Sequence, residues 1–144
     1  AQLQGDKIAQ QETIARIEAQ WQGDRNAQQE TIARIEAQWQ GEQKAQIEAI
    51  ARIQAQWQGD KNAQQATIKK LEAELNNAIS EYQRYQQLHK QGAISHSAFD
   101  SKRLSVETAK QQLSEAKAVG DRINTTASKQ LSEAKVTLNR INAT

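Results

Sequence analysis

His89 and His96 are the only two histidines in the chain, and they lie seven residues apart on either side of Gly92. Across a tight turn two such imidazoles could approach one another, as a metal site would require. A metal site needs further ligands, however. The chain has no cysteine, and no HExxH pattern places a second histidine pair on one helical face. The pair therefore reads as two surface histidines at a turn. The serines have no nucleophile-activating neighbour. The Gly-Asp-Arg-Asn and Gly-Asp-Lys-Asn stretches at Gly23 and Gly59 lack the preceding strand and the Gly-Lys-Ser/Thr element of a phosphate loop. Carboxylates are scattered along exposed faces, with no pocket to raise a pKa. The expectation is no enzyme activity, no catalytic residue, no metal and no cofactor.

The elements that would position any site are long helices. Apolar residues make up 37% of the 144 and aromatics 4%, below the ordinary globular range even when glycine is counted with the apolar residues. Proline is absent, and Ala, Gln, Glu, Lys and Arg, all good helix formers, dominate. Charge is close to balanced at +2 with the signs interleaved, which gives no basic footprint for nucleic acid. No apolar run approaches the length of a bilayer span. Beginning with alanine and carrying no leader pattern, the chain is expected to be a segment of a longer protein.

Helix stop and start signals meet between Tyr82 and Asp100. Arg84, His89 and Lys90 place positive charge at a helix C-terminus, Gly92 supplies a left-handed cap, and Ser95 or Ser97 can cap the next helix. Ser97 with Asp100 three residues on makes a capping-box-like pair. This divides the chain into an N-terminal arm (1–91), a tip turn (92–95) and a C-terminal arm (96–144), with fold class all-α, a long antiparallel two-helix coiled-coil hairpin.

Both arms repeat every eighteen residues. Trp21, Trp39 and Trp57 keep that step, as do Gly5, Gly23, Gly41 and Gly59, and Leu113-Ser-Glu-Ala-Lys returns at Leu131. Five turns at 3.6 residues stack equivalent side chains on one face, so the helices should be nearly straight. The three tryptophans then belong to the seam rather than to a membrane-surface helix, the functional alternative. Recurrent Gly-Asp or Gly-Glu steps could instead end one short helix and cap the next; the continuous arm is preferred because it keeps a shared seam.

Folding about Gly92 sets Phe99 opposite Tyr85, Val106 opposite Ile79, Leu113 opposite Leu71, Ala127 opposite Trp57, Leu131 opposite Ile53 and Leu138 opposite Ile47. Where Ile47 replaces the repeat's glutamine, Leu138 replaces the equivalent of Gly120. These matched departures predict an apolar pair. Residues 1–39 are left unpaired, exposing Ile14, Ile17, Trp21, Ile32 and Ile35 as the mark of a missing partner. The second arm of the parent protein is expected to continue by on the order of 36–40 residues.

Around the turn the chain reads Arg84-Tyr-Gln-Gln-Leu88-His-Lys-Gln-Gly-Ala-Ile-Ser95. The spacing of Arg84, Leu88 and Ser95 resembles the Arg–Leu–Ser tip motif of periplasmic adaptor proteins, or membrane fusion proteins of the HlyD-like kind, over roughly Leu71–Leu113. The long glutamine-rich arms look most like the cyanobacterial DevB type, which is paired with an ABC exporter. The resemblance implies a periplasmic hairpin that stands beside neighbouring adaptor copies as a homo-oligomer. It would bridge an inner-membrane, ABC-type exporter to a TolC-like outer-membrane channel in tripartite efflux. Arg84, Leu88 and Ser95 would contact the channel, and the transporter would be reached through regions not present here. For Ser95, capping and contact stand side by side. The alternative is a spacer or scaffold coiled coil unrelated to export.

Overall fold

The computed structural model describes residues 2–143. Two helices account for nearly all of them: α1, Gln2–Lys90, and α2, His96–Ala143. They pack against each other as an antiparallel hairpin, the fold the repeats and cap signals predict. At 1.5 Å per residue α1 is about 130 Å long and α2 about 70 Å. Because α2 is so much the shorter, every described residue up to Gln38 is exposed. Among the described residues no helix is long and apolar enough to cross a membrane.

The turn is built from backbone hydrogen bonds. The Ala93 N–H donates to the Leu88 carbonyl at 2.9 Å and the Gly92 N–H to the His89 carbonyl at 3.0 Å. This nested pair is the Schellman arrangement. It requires a left-handed residue at its centre, and Gly92 supplies it with φ of 73°. Ser95 then opens α2. Its Oγ accepts from the Ala98 N–H at 3.1 Å, and its carbonyl accepts from the Phe99 N–H at 3.2 Å. The cap is thus Ser95 and not Ser97. Asp100, expected to pair back towards Ser97, instead accepts from Arg103 at 2.8 Å, one turn further on.

Between the helices lies a single seam. On α1 it runs through Trp39, Gln43, Gln46, Ile50, Ile53 and Trp57, then Gln64, Ile68, Leu71, Leu75, Ala78, Tyr82, Tyr85 and His89, all half-buried. The steps alternate four and three residues except from Trp57 to Gln64, where seven residues pass and the alternation shifts by one extra four-residue step. On α2 the matching extra step falls around Ala127. A four-residue insertion in both partners locally relaxes the supercoil. That is how an eighteen-residue period, one heptad plus one eleven-residue unit, is accommodated without losing the seam.

Among the described residues the most buried all come from α2: Val106, Leu113, Ala116, Ala127 and Ala134. Three of the five are alanines, over which the larger α1 side chains fold; Trp57 and Ala127 line the same groove. Glycines 5, 23, 41 and 59 lie inside the continuous α1, so the Gly-Asp steps do not break the arm.

One expected seam contact is not a buried one. Ile47 remains 51% exposed, while its neighbour Gln46 turns into the seam and donates to the Ala134 carbonyl at 2.9 Å. The repeat's glutamine at that phase is the inward residue, and Ile47 sits one position round the helix. Leu138 is half-buried, but the Ile47–Leu138 exchange is not the matched burial that the sequence departures predict.

Candidate docking tip

Leu88, Ser95 and Arg84 lie at the closed end of the hairpin, each placed by a different local cause. Leu88 occupies the last turn of α1, with its carbonyl tied into the cap and its side chain half-buried. Ser95 is held by its capping bond, which fixes its hydroxyl at the mouth of α2. Arg84 stands one turn before Leu88 on the same helical face, and its side chain is 66% exposed.

The charges around Arg84 decide what it can do. Glu81, one turn back, lies 4.0 Å from the Arg84 guanidinium but accepts a 2.8 Å bond from Lys102 across the seam. That hydrogen bond, and then the Lys102 charge, hold the Glu81 carboxyl below its ordinary pKa; the same bond raises that of Lys102. Lys102 also lies 4.9 Å over the Tyr85 ring. With Glu81 engaged by Lys102, the Arg84 fork is only weakly held, resting 5.9 Å over Tyr85. A guanidinium so placed can turn planar, two-point hydrogen bonding toward an incoming carbonyl or carboxylate.

Beneath the tip the sequence reading missed a column of rings. Phe99 stacks on His89 at 4.8 Å and on Tyr82 at 5.4 Å, and His89 lies 5.6 Å from His96. The approach of the two histidines expected from their positions is therefore real, but it belongs to an aromatic stack. Phe99 does not simply face Tyr85: it enters the hole bounded by Tyr82 and His89, seven residues apart on α1. This is knobs-into-holes packing, with one side chain inserting among several of the partner. The signal was present in the three-and-four spacing of Tyr82, Tyr85 and His89. Pairing residues one to one concealed it. Among the described residues no group of three or more His, Cys, Asp or Glu could hold a metal.

Sequence also missed the polar rungs along the seam. Gln64 donates to the Ala116 carbonyl at 2.7 Å, Trp57 Nε1 to Asn124 Oδ1 at 2.9 Å, and Trp39 Nε1 to the Ile141 carbonyl at 2.8 Å. Small α2 residues leave their carbonyls accessible to these donors, and no buried side-chain polar atom among the described residues lacks a partner.

Residues 60–122 match the family model of the alpha-helical hairpin domain of RND membrane fusion proteins. No curated protein and no solved structure matches the chain. The matched span is centred on the turn and contains Arg84, Leu88 and Ser95. Its two ends, near the extra step at Trp57 and Ala127, lie across the seam from one another. Over residues 60–122 the chain is similar to the alpha-helical hairpin domain of RND membrane fusion proteins.

Proposed function

We propose that this hairpin is the docking arm of a periplasmic adaptor that bridges an inner-membrane exporter to a TolC-like outer-membrane channel. The family supports a transport-adaptor role, with a non-enzymatic hairpin acting between a transporter and a channel. The observation that carries the finer reading is the tip itself. Arg84 is exposed and weakly paired, Leu88 is half-buried at the helix end, and the Ser95 hydroxyl is presented at the start of α2.

In this reading Arg84 hydrogen-bonds backbone carbonyls or a carboxylate at the helical tips of the channel. Leu88 supplies the apolar contact, and Ser95 hydrogen-bonds across the junction while still capping α2. Hairpins of neighbouring copies stand side by side as a tube. The glutamine-rich arms resemble the DevB type and favour an ABC exporter as the inner-membrane partner.

The test is export by the assembled system with Arg84→Asp or Leu88→Asp in the adaptor. Unchanged helix content with lost export is the expected result. Normal export by both variants would leave the hairpin as a spacer, with its binding elsewhere.

A further inference from the structure

The rungs that join α2 to α1 obey the eighteen-residue repeat. Gln46 and Gln64 are one repeat apart, and so are their acceptors, the carbonyls of Ala134 and Ala116, at 2.9 and 2.7 Å. Trp39 and Trp57 are also one repeat apart, and each turns its indole N–H to an α2 acceptor. Counting back along α1 by the same step reaches Trp21, Gln28 and Gln10. Each is the same residue type at the same seam phase, and among the described residues none has a partner on α2.

Around these donors Ile14, Ile17, Trp21, Ile32 and Ile35 are each more than half exposed. They continue without a break the face that Trp39, Ile50, Ile53 and Trp57 bury against α2. The stripe is therefore a second length of an interface whose chemistry is already on view.

That chemistry selects the occupant. Small residues recur where α2 meets α1, with Ala116, Ala127 and Ala134 buried alongside Val106 and Leu113. This lets indole and isoleucine side chains close over it and opens its carbonyls to glutamine. A second copy of the chain fits poorly. Its α2 is already engaged with its own α1, and its α1 presents isoleucine and tryptophan where alanine is needed, which would overpack the seam.

We propose that residues 5–35 of α1 are a docking surface for a separate antiparallel helix carrying the α2 repeat, supplied by a segment outside these 144 residues. In register it sets one alanine carbonyl on Gln28 and another, one repeat on, at Gln10, with an asparagine at Trp21. The α2 sequence itself satisfies this if slid by two repeats. Ala116 then meets Gln28, Ala134 meets Gln10, Asn124 meets Trp21, and residues 113–143 fill the stripe up to the end of the resident α2. The surface lies at the opposite end of the molecule from the tip and does not depend on tip docking.

A synthetic peptide of residues 113–143, added to the full chain, tests this directly. The expected result is a one-to-one complex by sedimentation. Because the chain lacks cysteine, register can be read by disulfide capture. Gln28→Cys in the chain should trap Ala116→Cys in the peptide and not Ala127→Cys. Paired Ile17→Asp and Ile32→Asp substitutions lie outside the resident seam, so they should leave the hairpin's helix content intact while weakening the peptide at least about tenfold. Absence of a complex, or a complex indifferent to those substitutions, would overturn the proposal. So would capture of the Ala116→Cys peptide by Gln64→Cys, its partner in the resident register, which would show exchange with the resident helix. Self-association of the chain through the same isoleucines, without peptide, would assign the surface to a second copy instead.

Discussion

Replacing Gly120 with alanine should stabilise the hairpin, and the seam geometry sets by how much. A Cβ built at Gly120 lies 3.6 Å from Gln64 Cγ and 3.7 Å from Ile68 Cδ1, ordinary van der Waals contact. The helix term alone favours alanine over glycine by about 1 kcal/mol. A methyl group on this half-buried position adds roughly half of the ~0.8 kcal/mol of a fully buried one. Together these give about 1.4 kcal/mol, which for a cooperative unit of this size is a rise of about 4–7 °C in Tm. Gly59→Ala, where nothing lies within 4 Å, should gain only the helix term, about 1 kcal/mol. Gly120→Leu is the discriminating control. The three further carbons must displace Gln64 or Ile68, and overpacking costs about 1–3 kcal/mol, cancelling or reversing the gain. Urea unfolding followed by circular dichroism reads all three. A destabilised Gly120→Ala, or a Gly120→Leu that gains as much as an exposed site would, refutes the placement of Gly120 against Gln64 and Ile68.

The turn and its flanks make three further predictions. Gly92→Ala forces a side chain into a left-handed backbone and should cost about 1–2 kcal/mol in the same unfolding assay. Ser95→Ala removes the cap on Ala98 and should cost about 1 kcal/mol, while Ser95→Asp keeps a capping oxygen and should cost far less. Lost export with Ser95→Asp would then report the junction rather than the fold. Glu81 has its carboxyl pKa lowered by its hydrogen bond from Lys102, so its contribution is complete above the ordinary glutamate value and is lost as the pH falls from there through the lowered pKa. The Tm difference between wild type and Glu81→Gln should be present near neutral pH and vanish in acid.

Much of the architecture is legible in the residues because it is written in periods and caps. The eighteen-residue step fixes straight helices, and Gly92 between Lys90 and Ser95 fixes the turn. The small residues at Ala116, Gly120 and Ala127 mark which arm lies beneath the other. What escapes is angular detail. Matching the departures from the repeat obscured that Gln46 rather than Ile47 turns inward, although Gln46 stands four residues before Ile50 in the seam's three-and-four spacing and Ile47, one position on, is turned about 100° round the helix. Nor does residue pairing show that Phe99 wedges between Tyr82 and His89, since a knob meets several neighbours at once. The rungs from Trp39, Trp57 and Gln64 were hidden for another reason: their acceptors are mostly backbone carbonyls, which carry no residue signature. At the tip, sequence supplied Arg84, Leu88 and Ser95, while the diversion of Glu81 to Lys102 that leaves Arg84 available became visible only across the fold.

Docking through the tip is tested most directly by photo-cross-linking in the intact export assembly, with a photoreactive residue at Leu88, at Ile94 or at Gln65, midway along the part of α1 that pairs with α2. Adducts to the outer-membrane channel from Leu88 and Ile94, reduced by Arg84→Asp and absent at Gln65, are the predicted result. Adducts from Gln65 alone, or none from the tip while export proceeds, would contradict it.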